Sequence, residues 1–146
     1  MKRIVLTECI IGLLMLLFVY TGGSKLWDMK GFVISMERQP FAGWMNRALA
    51  YGLPWLELIV AAGLIFNRTR TAALYGYALM MCCFTVYTAL VVFDFFEHKP
   101  CGCGGIVSKL NWEGHLVLNT LFLLLSVAGI YLTKRNKIFM HKRGVS

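Results

Sequence analysis

The sequence predicts an all-α integral membrane protein, a bundle of four transmembrane helices with a short interfacial helix between the first and second. Three observations carry that prediction. Hydrophobic residues make up 58% of the chain and charged ones only 15%, with a mean hydropathy of +0.65. A soluble domain needs about a quarter charged residues to wet its surface. The apolar residues fall into four runs near the ~20 residues that cross a hydrocarbon layer. Lys and Arg gather at the ends of those runs, where they mark sidedness and meet anionic lipid. That placement explains the net charge of +8 without nucleic acid as a partner. No internal repeat or low-complexity stretch is visible, so residues 1–146 are expected to form a single membrane domain.

The first span is expected at about 4–23, centred on "IIGLLMLLFVY". The "MKR" before it imitates a signal peptide, but no A-x-A-like site follows and three further spans do, so the segment is expected to be kept. The second span, about 49–66, is weaker because it carries Pro54 and Glu57. The third covers about 71–93 and the fourth about 112–132, followed by a basic tail, 133–146. Between the first two spans, Phe32, Val33, Met36, Phe41 and Trp44 are mixed with charges. That pattern suits a helix lying in the headgroup zone, or a cap packed over the bundle. Trp27, Trp44, Trp55 and Trp112 fall where an interfacial aromatic belt is expected.

Sidedness follows from the basic residues in short connections. Lys2, Arg3, Arg68, Arg70, Lys134, Arg135, Lys137, Lys142 and Arg143 lie on one side of a four-span chain. Lys25, Lys30, Arg38, Arg47, Lys99 and Lys109 lie on the other, spread over longer loops and partly offset by Asp28, Glu37 and Glu97. Both termini are therefore expected in the cytoplasm of a bacterium. The two long loops then face the periplasm, across the inner membrane.

One of those loops holds "HKPCGCGG". Disulfides persist in an oxidising compartment, so Cys101 and Cys103 there can cycle between dithiol and disulfide. A bridge between residues i and i+2 requires a bent backbone, and Gly102 tolerates the bend. Strained, exposed disulfides are the exchange-prone ones. His98, Lys99 and Lys109 are basic neighbours that favour the thiolate. Two other readings stand beside this one. The cysteines can form a static staple, or part of a zinc site, for which Cys-x-Cys with His98 or His115 supplies only a partial ligand set.

Glu57 is the second signal. A carboxylate inside a span is costly, so it usually faces the bundle interior and marks function. Lys25 ends the first span at the same level and is its expected ion-pair partner. Asp28, Asp94, His115 and Asn119 are expected at that same outer end. His115 and Asn119 are i, i+4 neighbours able to line one helical face, with His115 either a proton carrier or a plain hydrogen-bonding residue. Cys9, Cys82 and Cys83 are expected to be structural, since buried Cys behaves as a small hydrophobe.

"TGGSKLWD" at 21–28, "LPWLELIVAAGLIF" at 53–66 and "KPCGCGG…LNWEGHLVLNTLFLLL" at 99–125 together resemble the DoxX-like/MauE family of four-helix redox-associated membrane proteins. Lys25 and Leu26 match its Lys-Leu after helix 1, Pro54 and Glu57 its Pro and Glu in helix 2, and Cys101 and Cys103 its loop Cys-x-Cys. For the MauE branch the resemblance implies a part in methylamine dehydrogenase maturation, through periplasmic disulfide formation or transport. For the DoxX branch it implies a link to quinone-dependent oxidation.

The leading expectation is a thiol–disulfide redox protein or subunit. In that reading Cys101 and Cys103 exchange with a periplasmic thiol protein, electrons pass to quinone, and Glu57, Lys25 and His115 manage protons and orientation. The alternative is a non-catalytic scaffold or accessory subunit of a membrane complex with a fixed cysteine staple. A small transporter is a weaker third, since no inverted repeat is visible.

Overall fold

The computed structural model describes residues 2–95 and 111–142. They form five helices: α1 (Lys2–Trp27), α2 (Met29–Glu37), α3 (Gly43–Ile65), α4 (Arg70–Val92) and α5 (Trp112–Lys142). Four of these, all but α2, are long and apolar enough to cross a membrane. The protein is a four-span helical membrane bundle. Its outward side chains are large and apolar, among them Leu16, Ile59, Leu79, Val117 and Leu124. Without lipid such an exterior would aggregate; in a bilayer it is the solvated surface.

In the bundle α3 packs against α1 and α4, and α5 against α4 and α1. The core forms where the stripes of three helices meet: Ile10, Leu14 and Phe18 from α1, Ala61 and Leu64 from α3, and Leu74, Tyr77 and Met81 from α4. Phe18 and Tyr77 stack with ring centroids 3.9 Å apart. Helix α5 closes the core with fully buried Ser126. Small residues let backbones approach in membranes, and Gly22 shows it best. A Cβ there would lie 3.1 Å from the Pro54 carbonyl oxygen and 3.2 Å from Leu58 Cγ. This close approach sets the α1–α3 register.

The two ends of the bundle differ. At the end holding both termini, Arg70 Nη1 donates to Glu8 Oε1 at 2.6 Å, and Asn136 Nδ2 donates to Thr7 Oγ1 at 3.0 Å. At the opposite end the chain folds back through α2. Asp28 caps α2, its Oδ1 accepting from Gly31 N at 3.0 Å. Phe32 and Met36, i and i+4 on α2, are buried against Ala50, Leu49 and Leu53 of α3. The apolar side of this short helix thus covers the protein, as a packed cap.

Helix α1 runs four residues beyond its expected end, and two other boundaries differ more. Helix α3 begins at Gly43 instead of near 49, because its first turn is tied to the α2–α3 connection. Buried Asn46 holds that turn, donating to the carbonyls of Gln39 and Phe41 at 3.2 and 3.3 Å. Helix α5 continues through Lys142, since no Gly or Pro breaks the basic segment after Leu132.

Candidate functional site

The site begins with two residues that the α1–α3 contact forces together. Helix side chains lean towards the N-terminus, so Lys25 reaches back from the end of α1 to the level of Thr21. There it meets Glu57 of α3. Lys25 Nζ lies 2.5 Å from Glu57 Oε1, with side-chain exposures of 13% and 1%. The other carboxylate oxygen, Oε2, is buried with no hydrogen-bond partner among the described residues. Measured from Leu49, Glu57 sits about 12 Å into the apolar run at 1.5 Å per residue.

Two aromatic faces flank the ammonium. Lys25 Nζ is 5.6 Å from the ring centroid of Phe32 and 5.7 Å from that of Phe84. Both distances are within cation–π range. Helix α2 therefore does more than cap the bundle: Phe32, buried against α3, also faces the ion pair.

Above the pair opens a cavity of about 490 Å³. Its walls are mostly apolar, including Leu17, Phe18, Leu53, Met80 and Phe84. Its polar groups are few: the ion pair, Thr21 and Ser24 of α1, Gln39, Tyr87 and Thr88, and His115 and Asn119 of α5. Asn119 Nδ2 donates to Thr88 Oγ1 at 3.1 Å, which fixes α5 against α4. The Tyr87 hydroxyl donates to Gln39 Oε1, tying α4 to the α2–α3 connection. Trp112 extends this rim, its ring 6.4 Å from Tyr87 and 6.2 Å from His115. A concave apolar chamber of this size with a few convergent polar groups is what a small-molecule site requires.

The structure thus brings together Lys25, Glu57, His115 and Asn119 around one chamber. The predicted Lys25–Glu57 pair is present, and His115 and Asn119 share an inward face. Asp28 and Asp94 serve the chain path instead. Asp28 caps α2, and Asp94 takes a left-handed φ of 54° just after α4, a conformation Asp tolerates. Cys101 and Cys103 lie outside the described residues. Cys9, Cys82 and Cys83 are not core hydrophobes but face outward, with Cys83 also lining the cavity. Neighbouring helical positions point about 100° apart, so Cys82 and Cys83 are poorly placed to act as a pair. Among the described residues, no group of three or more His, Cys, Asp or Glu is placed to hold a metal ion.

Sequence reasoning placed Phe32 on the short helix but not at the ion pair, and it missed Phe84, Gln39, Tyr87 and Thr88. A Phe in an apolar run such as that of Phe84 carries no signal of its own, and the polar three become visible only once the helices are placed in register.

Fold and site together define a small four-span membrane protein whose apolar chamber is built over a buried ion pair. The family model described as "Methylamine utilisation protein MauE" matches residues 2–132, and the chain belongs to the MauE family. Neither the curated proteins nor the solved structures contain a match.

Proposed function

We propose that the protein is a membrane thiol–disulfide redox protein that couples periplasmic disulfide exchange at Cys101 and Cys103 to a quinone held in the chamber. The observation that carries this reading is the Lys25–Glu57 pair at the base of an apolar cavity. Phe32 and Phe84 offer two aromatic faces beside Lys25, and its ammonium is the donor a quinone carbonyl oxygen needs. Ligand pockets typically measure ~300–1,000 Å³, and this one falls inside that range. The segment carrying the cysteines joins α4 to α5 and re-enters the described structure beside Trp112, a residue of the cavity rim.

The chemistry balances. A partner dithiol attacks the Cys101–Cys103 disulfide through a mixed disulfide and leaves as the oxidised species, with both cysteines reduced. Re-forming the bridge releases two electrons and two protons, which a quinone bound in the chamber takes up. Lys25 holds one ring oxygen, Glu57 compensates the ammonium, and His115 at the rim passes protons between chamber and water. The orientation that goes with this reading has both termini in the cytoplasm and the α2 end in the periplasm of a bacterial inner membrane.

A second reading, a non-catalytic accessory subunit with a cysteine staple, is favoured by one observation. Trp27, Trp44, Phe93 and Phe95 are at least 73% exposed around the α2 end, a surface suited to a partner as well as to the headgroup belt.

Trapping separates the two. Cys101→Ser and Cys103→Ser are expressed in cells, and thiols are quenched with acid. One of the variants is expected to hold a partner in a mixed disulfide that reductant releases. If neither variant traps an adduct and neither impairs function, the redox reading fails and the accessory one stands.

A further inference from the structure

The seam between α3 and α4 is closed at both ends and open in the middle. Towards the termini, the helices touch through small residues. A Cβ on Gly63 would lie 3.0 Å from Ala73 Cβ, and one on Gly76 would lie 3.6 Å from Val60 Cγ2. At the α2 end the seam is shut by Tyr87, bonded to Gln39 and with its ring centroid 5.4 Å from that of Phe41.

Between these closures, Leu56 on α3 and Leu79 and Cys83 on α4 all line the cavity. The same three are open on the outer surface of the bundle: Leu56 is 51% exposed, Leu79 67%, and Cys83 is exposed as well. Side chains that line a cavity from within and are bare from without mark an opening in its wall.

The depth of the opening follows from the helix register. Gly63 faces Ala73 and Val60 faces Gly76, so a step back along α3 matches a step forward along α4. Position 57 then falls opposite 79, and 53 opposite 83. The opening lies level with the ion pair, within the hydrocarbon layer.

We propose that this opening is a lateral window for a lipid-dissolved quinone. The ring rests on Lys25, and the polyprenyl tail leaves across Leu56 and Leu79 into the bilayer. The proposal rests on the quinone reading above and adds the route and the tail site. Leu56, Leu79 and Cys83, which border the window, offer a water-borne substrate no charged group. A phospholipid would have to carry its charged headgroup to the depth of Glu57, where an unpaired charge is strongly disfavoured. A quinone has a neutral head with two acceptor oxygens and a hydrocarbon tail, and matches both ends of the chamber.

The test uses the full chain in nanodiscs and two photoreactive decyl-benzoquinones. One carries its azide on the ring and the other near the end of the tail. Cross-linked peptides are mapped by mass spectrometry, with excess unlabelled decyl-benzoquinone as competitor. The ring probe is expected to label the surroundings of Lys25, Phe32 and Phe84. The tail probe is expected to label α3 near Leu56 and α4 between Leu79 and Cys83. Ring labelling as expected with tail label on α1, α2 or α5 overturns the window and leaves the quinone reading intact. Absence of competable label from both probes overturns both. Leu79→Trp, which fills the window, is expected to lower ring-probe labelling several-fold, and unchanged labelling in a variant that melts like the parent overturns the route.

Discussion

Two ion pairs of this bundle have nearly the same length and opposite settings. Arg70 and Glu8 meet at 2.6 Å with Glu8 53% exposed, whereas Lys25 and Glu57 meet at 2.5 Å with Glu57 1% exposed. The first pins the α4 start to α1 at the end holding the termini, and Arg70 Nε adds a bond to the Leu64 carbonyl at 3.3 Å. Exposed pairs of this kind contribute about 0–1 kcal/mol. The second takes two charges out of water, and well-packed apolar residues of similar volume commonly stabilise a protein as well or better. The contrast teaches that contact length says little about role. A pair that is costly to bury, set at the base of an apolar chamber, is where the proposed ligand role and a purely structural one make different predictions.

Breaking the buried pair is expected to give the largest effect. Lys25→Met leaves the Glu57 charge without a partner, a change that typically costs about 3–5 kcal/mol, read as a marked drop in the thermal unfolding midpoint in detergent. Quinone-dependent thiol oxidation is expected to vanish with it. The double variant Lys25→Met/Glu57→Leu sharpens the comparison: it should recover much of the lost stability and none of the activity. Recovery of both would make the pair purely structural.

Gly22→Ala comes next. Its methyl meets the Pro54 backbone oxygen, which cannot move aside as a flexible side chain would. Overpacking of this kind costs about 1–3 kcal/mol. Because Gly22 sets the α1–α3 register, quinone affinity should fall along with the melting temperature. A loss of stability with unchanged affinity would uncouple the register from the site.

Asn119→Leu should cost less, about 1 kcal/mol for one hydrogen bond. Thr88 keeps its own donation to the Phe84 carbonyl at 2.6 Å and is not orphaned. Smallest of all, Arg70→Gln should shift stability by at most about 1 kcal/mol and leave thiol oxidation as it was. An Arg70 effect as large as that of Lys25 would erase the distinction between the two ends.

The same contrast runs through what the sequence made legible. The four spans follow from composition and length, and Lys25 pairs with Glu57 because both charges fall at the same level of adjacent spans. His115 and Asn119 declared a shared face through their i, i+4 spacing. Periodicity within one helix, however, says nothing of which helix stands opposite or in what register. Tyr87 with Gln39, Thr88 with Asn119 and Arg70 with Glu8 were therefore invisible. The α3 start is hidden because Asn46 and Arg47 lower the hydropathy of a turn that hydrogen bonds to the α2–α3 connection hold. Cys82 and Cys83 face outward because in a bilayer the exterior is as apolar as the core, so hydrophobicity no longer separates inside from outside.

The central claim is that Cys101 and Cys103 are emptied of electrons through the chamber. The most direct measurement is their thiol state in intact cells, read with a mass-tagged, membrane-impermeant maleimide in quinone-replete and quinone-depleted strains. The account predicts a disulfide when quinone is present and free thiols when it is withdrawn, with Lys25→Met reduced in both. A bridge that persists whether or not quinone is available would contradict it and leave the cysteines a staple.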